Sequence, residues 1–478
     1  MNEIKPISIT VQSTDRSYSK LYNDLEKLNF KALHHKYPTI NYGNKESTTT
    51  SKTPGKWTLC KAIQGHESDD INDQYSLFQH SMKWVLICGQ CVGMNPVSGI
   101  LEKEVSNIKF KYFSWRFLYG ALLCFFQITA SILCLFKLYR TFVSVRLLAL
   151  LSFYSAIGIN TFSFIRIGKK WPALLLSMYK TNLDEYIDLN LKVKCTAAMG
   201  IMLILAIVEH ILSLISNMIR GLHCQDEPYN FYRAYLEHSF SWLFEIGIPF
   251  SLPLGIVMQI INLICIISWS YSDFFIVCIG FYLTSILEKI NTKVTSSRDK
   301  CMPPAFWKQL REDYTQAGRL VRNFDNAING VIFTSYANNL FFICLQMFNV
   351  LSHRYKEKPS AAPCPNLPSG PFGGYENVIY FTYSLSFVLG RFLAVSLITS
   401  GIHTASNEPA SALYDIPSTM YCSEVQRFIE QVHGDTLALS GLQFFYVTKS
   451  LVLTVASTIV TYELVLLQFN GEEMVHKN

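Results

Sequence analysis

A small set of polar residues stands inside long apolar runs of this chain, and their types suit recognition rather than reaction. Glu209 and His210 are neighbours in one run, with Ser213 and Asn217 one and two turns further along. Trp242 and Glu245 open the next run, Asn338, Asn339 and Gln346 lie in a third, and Tyr380, Tyr383 and Arg391 in a fourth. A polar or ionisable group in bilayer hydrocarbon costs about 2.5–3.5 kcal/mol on insertion scales, so each of these needs a partner. Carboxylates and amides exchange hydrogen bonds with vicinal hydroxyls, and an indole or phenol ring covers the apolar C–H face of a pyranose. Glu209, His210, Trp242, Glu245, Asn339, Gln346, Tyr380 and Tyr383 are therefore candidate binding residues for a sugar. Plainer uses stand beside this one. Glu209 and His210 point to different sides, so one of them can serve interhelix pairing. Trp242 suits an interface belt, Glu245 simple hydration at the boundary, and Arg391 a structural counter-charge to Glu209 or Asp273.

The last apolar run carries a second pattern, Thr461-Tyr462-Glu463-Leu464-Val465-Leu466-Leu467-Gln468-Phe469. On a helix Thr461, Leu464, Val465 and Gln468 share one stripe, and Tyr462 and Phe469 fall on the stripe beside it. A lightly polar stripe with lipid-compatible residues elsewhere suits a helix that lines a pore or packs against another subunit. The plainer reading of Gln468 is interhelix glue.

Catalytic and metal chemistry find no footing. There is no H-E-x-x-H and no defensible Ser-His-Asp arrangement. Cys88 and Cys91 form a C-x-x-C without a second pair at zinc spacing, so no metal, cofactor or enzymatic activity is expected. Most of the 13 cysteines lie in apolar runs, as small hydrophobes. Cys224 and Cys364 fall in loops expected on one side and are candidates for a disulfide.

The elements that hold these residues are membrane helices. Half of the 478 residues are hydrophobic, 14% aromatic and only 16% charged, with a mean hydropathy of +0.21. Soluble chains carry about a quarter charged residues. The net charge of +6 is modest, and its basic residues gather near span ends rather than in a stripe that would bind nucleic acid. Seven runs, near 112–137, 144–167, 195–219, 242–269, 328–351, 377–402 and 444–469, are long enough to cross roughly 30 Å of hydrocarbon. A shorter run, 78–95, reads as an interfacial helix. With the N-terminus inside, inner loops hold fifteen Lys and Arg against eight outside, which favours N-inside and C-outside. That is the inverse of a rhodopsin-like receptor.

The expected organisation is a polar cytosolic tail over 1–77, partly disordered and without a signal peptide, a helical bundle of spans 1–6 over 78–443, and a seventh span with a short extracellular end over 444–478. Two cytosolic stretches have apolar faces that need partners, and packing within the chain is the plainer way to supply them. One is Phe306, Leu310, Tyr314, Ala317, Leu320, Val321 and Phe324; the other is Val425, Phe428, Ile429 and Val432.

The closing Thr-Tyr, five residues, Gln-Phe signature resembles that of insect gustatory receptors. Ala438-Leu439-Ser440-Gly441 through Phe444-Phe445 to Thr448-Lys449 resembles their sugar-receptor branch. Similar stretches are Ile248-Pro249-Phe250-Ser251 with Trp269 and Asp273, Tyr336-Ala337-Asn338-Asn339-Leu340, and Tyr380 to Leu385 with Gly390-Arg391. The resemblance covers about residues 78–470, and its main departure is the Pro- and Gly-rich loop 352–376. It implies an all-α seven-span tetramer, homomeric or heteromeric, in the plasma membrane of sensory neurons and surrounded by lipid. It also implies a non-selective cation channel gated by a mono- or disaccharide. Thr461, Tyr462, Leu464, Val465, Gln468 and Phe469 would form the pore and gate, and the two cytosolic stretches a shared central anchor. A metabotropic seven-span receptor and a sugar transporter are the competing classes. The first requires the opposite topology, and the second lacks an internal repeat of broken spans.

Overall fold

In the computed structural model of the chain the described residues are 78–100, 107–141, 144–179, 181, 183–222, 231–355 and 376–475. A helix over 78–91 (α1) leads into the short strands Val97–Ser98 (β1) and Lys109–Phe110 (β2), paired antiparallel with Val97 opposite Phe110. Then follow α2 (Trp115–Arg140), α3 (Val145–Tyr179), α4 (Leu191–Leu222), α5 (Phe231–Ser239) and α6 (Ser241–Phe244). After these come α7 (Leu252–Ser297), α8 (Pro304–Tyr355), α9 (Glu376–Asn407), α10 (Pro409–Tyr414) and α11 (Ser423–Gly434). A hairpin of β3 (Ser440–Gly441) and β4 (Phe445–Tyr446) precedes α12 (Lys449–Val475).

Six helices (α2, α3, α4, α7, α8 and α9) are long and apolar enough to cross a membrane, and α12 adds a shorter apolar stretch, Lys449–Tyr462. On α2, Leu122, Phe125 and Ile132 are exposed, as lipid-facing positions must be. Its exposed Trp115 and Tyr139 stand about 36 Å apart along the axis, at 1.5 Å per residue. That spacing is enough to span a bilayer core about 30 Å thick.

The largest buried cluster among the described residues runs from the walls of the site described below toward the opposite end of the bundle. At that far end Tyr282, Ile286 and Ile290 of α7 and Trp307, Tyr314 and Phe324 of α8 are fully buried. Phe78 of α1 inserts its ring 4.5 Å from Tyr282 and 6.2 Å from Phe324. Each such side chain contributes about 1.5–3 kcal/mol on burial. The α1 segment is thus part of this core, not an eighth span.

Several expected boundaries move. Span 4 does not begin at Trp242: α6 stops after one turn, Glu245–Gly247 turn the chain, and α7 starts at Leu252. Gly247 takes φ +107°, a value open to glycine, and Pro249 removes an amide and holds Ile248 extended. The seventh helix starts at Lys449, not 444, because Phe444 and Phe445 belong to the hairpin. The boundary expected between 443 and 444 thus falls inside that hairpin.

The two amphipathic stretches find their partners within the chain. Leu310, Tyr314, Leu320 and Phe324 on α8 and Val425, Phe428 and Val432 on α11 are all buried. Tyr314 and Phe428 lie 5.3 Å apart, and Arg311 donates to Glu424 at 3.1 Å. These faces are spent on intrachain packing, so a shared anchor must use other surfaces. The tail 1–77 and the Cys224–Cys364 pairing lie outside the described residues.

Candidate functional site

The one-turn helix α6 tucks Trp242 and Leu243 into the bundle, with the Trp242 ring 5.8 Å from that of Tyr154 on α3. Above the midpoints of α3, α4, α7, α8 and α9 this leaves a deep chamber of about 280 Å³. That lies near the lower end of small-molecule pockets, about 300–1,000 Å³. Its walls are aromatic (Phe153, Tyr154, Trp242, Trp269, Phe342, Tyr380, Phe387), and Glu209, His210, Ser213, Asn217, Asn262, Ser270, Gln346, Ser384 and Arg391 supply polar groups.

The polar groups fall into two sets. One is held in place by the protein. Ser384 Oγ donates to Glu209 Oε1 and accepts from Gln346 Nε2, both at 3.1 Å, and Tyr380 adds a further hydrogen bond to Glu209. The other set is left over. Ser239 Oγ, Trp242 Nε1, Trp269 Nε1, Ser270 Oγ and Gln346 Oε1 are buried and have no hydrogen-bond partner among the described residues. Buried polar atoms in native proteins are almost always paired, and one left unpaired costs about 1–3 kcal/mol. Five of them line this one chamber, where they can bond a polar occupant.

Arg391 forms the floor. Its guanidinium lies 4.4 Å from the Trp269 ring centroid and 5.3 Å from that of Phe387, and its Nε donates to Asp273 Oδ2 at 2.9 Å. Asp273 is wholly buried and also accepts from Ser335 and, at 3.2 Å, from Asn339 Nδ2. Of the two counter-charges considered for Arg391, Asp273 is the bonded one.

A second chamber of about 380 Å³ adjoins the first nearer the end of the bundle, between the C-terminal end of α2, the start of α3 and α6. Lys137, Thr141, Ser144, Ser241 and Glu245 line this rim chamber, which shares Arg146, Leu150 and Trp242 with the deep one. Lys137 Nζ pairs with Glu245 Oε2 across it at 2.6 Å.

The structure thus brings Glu209, His210, Trp242, Gln346 and Tyr380 together in the deep chamber. Glu245 lines the rim chamber instead, because the turn after α6 carries it away from α7. Asn339 lies beneath the floor with its amide committed to Asp273 and Ser335. Tyr383 faces α4 from outside the chamber, its hydroxyl donating to the Leu205 carbonyl at 3.1 Å. Sequence reasoning missed Asn262, Ser270 and Ser384. The signal was present: Asn262, Ile266, Trp269 and Ser270 share one stripe of α7, and Ser384 lies one turn from Tyr380 on α9. Among the described residues no group of three or more His, Cys, Asp or Glu is arranged to hold a metal ion.

The last helix packs by one seam. Val452 is buried, and Leu451, Val455 and Ile459 rest against the core, while Thr454, Ser457, Thr458, Thr461, Tyr462, Leu464 and Val465 are exposed. The hydroxyls at 454, 457, 458 and 461 each donate to a backbone carbonyl one turn back. The side chains of Gln468 and Phe469 lie outside the described set.

Comparison with known proteins now places the chain. The family model described as trehalose receptor matches residues 63–478. The gustatory receptor 5a for trehalose of Drosophila melanogaster is 30% identical over 423 residues, covering 86% of this chain and 89% of the relative. The gustatory receptor for sugar taste 64f of the same species is 29% identical over 404 residues, covering 83% and 81%. Among solved structures, the insect olfactory receptor OR5 from Machilis hrabei superposes with a TM-score of 0.58 at 14% identity. It covers 83% of this chain and 99% of that one, which is likeness of fold. The chain belongs to the trehalose receptor family, the sugar branch of the insect gustatory receptors.

Proposed function

We propose that this chain is a sweet-taste receptor in which a sugar, bound in the deep chamber, opens a non-selective cation pore. The observation that carries the reading is the set of five unpartnered buried polar atoms between aromatic walls. A pyranose offers hydroxyls to the first and C–H faces to the second. The names of the relatives, for trehalose and for sugar taste, agree with that chemistry.

In this reading four subunits, identical or related, surround one pore lined by α12. The exposed stripe Thr454, Ser457, Thr458 and Thr461 gives a wall of hydroxyl oxygens and methyls, since the hydroxyl protons are turned onto the helix backbone. Leu464, Val465 and Gln468 continue that stripe, Phe469 closes the path by dewetting, and Tyr462 packs against a neighbour. Lys and Arg are more numerous at the end of the bundle away from the chambers, which favours chambers that face outward. The receptor in this reading sits in the plasma membrane of a sensory neuron, its apolar faces in lipid. The ligand acts only through its differential affinity for closed and open states.

The test is to express the chain alone in cells without taste receptors and record membrane current during a panel of mono- and disaccharides, with G-protein signalling blocked. A fast cation current evoked by one or a few sugars is the expected result. A response abolished by the block overturns the channel. Silence at confirmed surface density, alone and with related subunits, overturns the sugar.

A further inference from the structure

We propose that the start of α2 and the facing part of α3 bind an anionic lipid of the inner leaflet, an inositol phospholipid phosphorylated on its ring. This rests on the outward-facing chambers of the reading above and concerns a surface away from both of them. The two helices run antiparallel, with Ser131 bonded to Ser155 at 2.6 Å and Thr161 donating to Gln127 at 2.8 Å. Carried about four turns from the serine pair, that register brings Arg116 level with Lys170. Arg166 lies one turn from Lys169 and Lys170 on the same face of α3. A side chain at Gly168 would meet Pro96 at 3.2 Å, so α3 lies directly against the β1–β2 hairpin. That hairpin carries Lys109 and, one residue past β2, Lys111, and Lys169 Nζ stands 5.6 Å over the Tyr112 ring. Lys109, Lys111, Arg116, Arg166, Lys169 and Lys170 are therefore neighbours, and all are exposed.

None of these six has an ion pair among the described residues. Other basic side chains at this end are paired: Lys293 with Glu185, Arg311 with Glu424 and Arg322 with Asp435. Like charges gathered on one surface repel each other until an anion covers them. The rings beside them point to a lipid. Phe110, Tyr112 and Phe117 pack edge to face, with centroids 5.0–5.8 Å apart, and fix the turn into α2. Phe113 and Trp115 project from that turn, 93% and 81% exposed, as rings at the head-group boundary do. From Trp115 the exposed side chains of Leu118, Leu122 and Phe125 continue along one stripe of α2, an apolar track for an acyl chain. An acidic protein would meet the charges and leave the track unused, whereas a lipid uses both. A head group with one phosphate engages one or two of the cations, and a ring carrying further phosphates reaches from α2 to α3.

The experiment titrates the purified full-length receptor, in neutral detergent, with a fluorescent short-chain phosphatidylinositol bisphosphate and follows its anisotropy. Short-chain phosphatidylserine and free inositol trisphosphate are the competitors. The bisphosphate lipid should bind at least about tenfold more tightly than either. Each basic residue near an anionic surface contributes about fivefold, so Lys169→Gln with Lys170→Gln should weaken binding by about 25-fold. Lys169→Arg with Lys170→Arg should keep it. Lys300→Gln with Lys308→Gln, at exposed positions elsewhere on the same end, should change nothing. Binding that survives the first pair, or is lost equally to the last, overturns the site. Phosphatidylserine binding as tightly overturns the phosphorylated ring, and free inositol trisphosphate binding as tightly overturns the lipid. The titration uses neither sugar nor current, so its failure and that of the sugar-gated channel are read separately.

Discussion

Arg391 and Asp273 are bonded to each other at the floor of the deep chamber, with side chains only 3% and 0% exposed. The guanidinium supports Trp269 on its upper side, and the carboxylate ties α7 to α8 through Ser335 and Asn339. A ligand resting on Trp269 therefore sits one side chain away from the joint between three helices. Taking a charge out of water is expensive, and removing one partner of a buried pair strands the other at a cost of about 3–5 kcal/mol.

The first prediction follows from that asymmetry. Arg391→Met or Asp273→Leu alone should abolish surface expression, while the double replacement should restore most of it. The rescued receptor should still lose sugar-evoked current, because the Trp269 support and the tie to α8 are both gone. Surface biotinylation and current amplitude, measured on the same cells, separate the two effects. Equal expression of the single and double variants would show the pair to be uncoupled.

Ser384 is the hinge of the fixed polar set, donating to Glu209 and accepting from Gln346. Ser384→Ala releases both without opening the wall, so Glu209 should swing and the sugar should lose an oriented acceptor. A hydrogen bond to a charged group contributes about 1.5–3 kcal/mol, so the half-maximal sugar concentration should rise by at least about tenfold. Stability should fall as well, by about 1–3 kcal/mol, because the buried Gln346 amide loses its acceptor. A concentration–response curve unchanged by Ser384→Ala would remove Glu209 from the sugar contacts.

Trp242 offers a finer separation of ring and donor. Trp242→Phe keeps an aromatic wall and drops Nε1–H, an atom with no protein partner to lose. Protein stability should therefore hold or improve, while sugar potency falls by about threefold to tenfold. Trp242→Ala should also lower stability by about 3–5 kcal/mol, because a fully buried indole leaves a cavity. If Trp242→Phe matches the unaltered receptor for every sugar, Nε1 does not touch ligand.

Much of this was legible in the sequence, and the failures have physical causes. Long apolar runs announce membrane helices because hydrocarbon tolerates little else, and the closing Thr-Tyr…Gln-Phe pattern identified the family. Helical spacing also gathered Glu209, His210, Gln346 and Tyr380 toward one chamber, since polar groups in lipid must face inward. It failed at Glu245, where Gly247 and Pro249 break an apolar run that reads as continuous by hydropathy. It failed again at Tyr383, because the choice between two sides of α9 is made by packing against α4, which no local pattern encodes. The pairing of Arg391 with Asp273 joins residues 118 positions apart. The sequence marks both as needing partners without saying which partner is near.

The hairpin before α12 yields the last prediction. Asp325 of α8 accepts from the Ser440 amide at 2.6 Å and from its hydroxyl at 2.9 Å, and the Leu442 amide donates to the Asn329 carbonyl at 3.3 Å. Leu442 and Gln443 hold φ of +49° and +62°, a left-handed turn that costs about 1–2 kcal/mol per residue for side-chain-bearing positions. The turn is thus held by its ties to α8, and α12 begins at Lys449, directly after the hairpin. Asp325→Ala leaves the buried Ser440 amide unpaired, so stability should fall by about 1–3 kcal/mol. The functional effect should exceed this, because the joint between α8 and the last helix slackens. Maximal current should drop while competition binding of sugar stays unchanged. Gln443→Gly relieves the left-handed strain at an exposed site and should raise the unfolding temperature without touching current. A parallel loss of binding and current in Asp325→Ala would mean that the hairpin supports the whole bundle rather than joining α8 to the last helix.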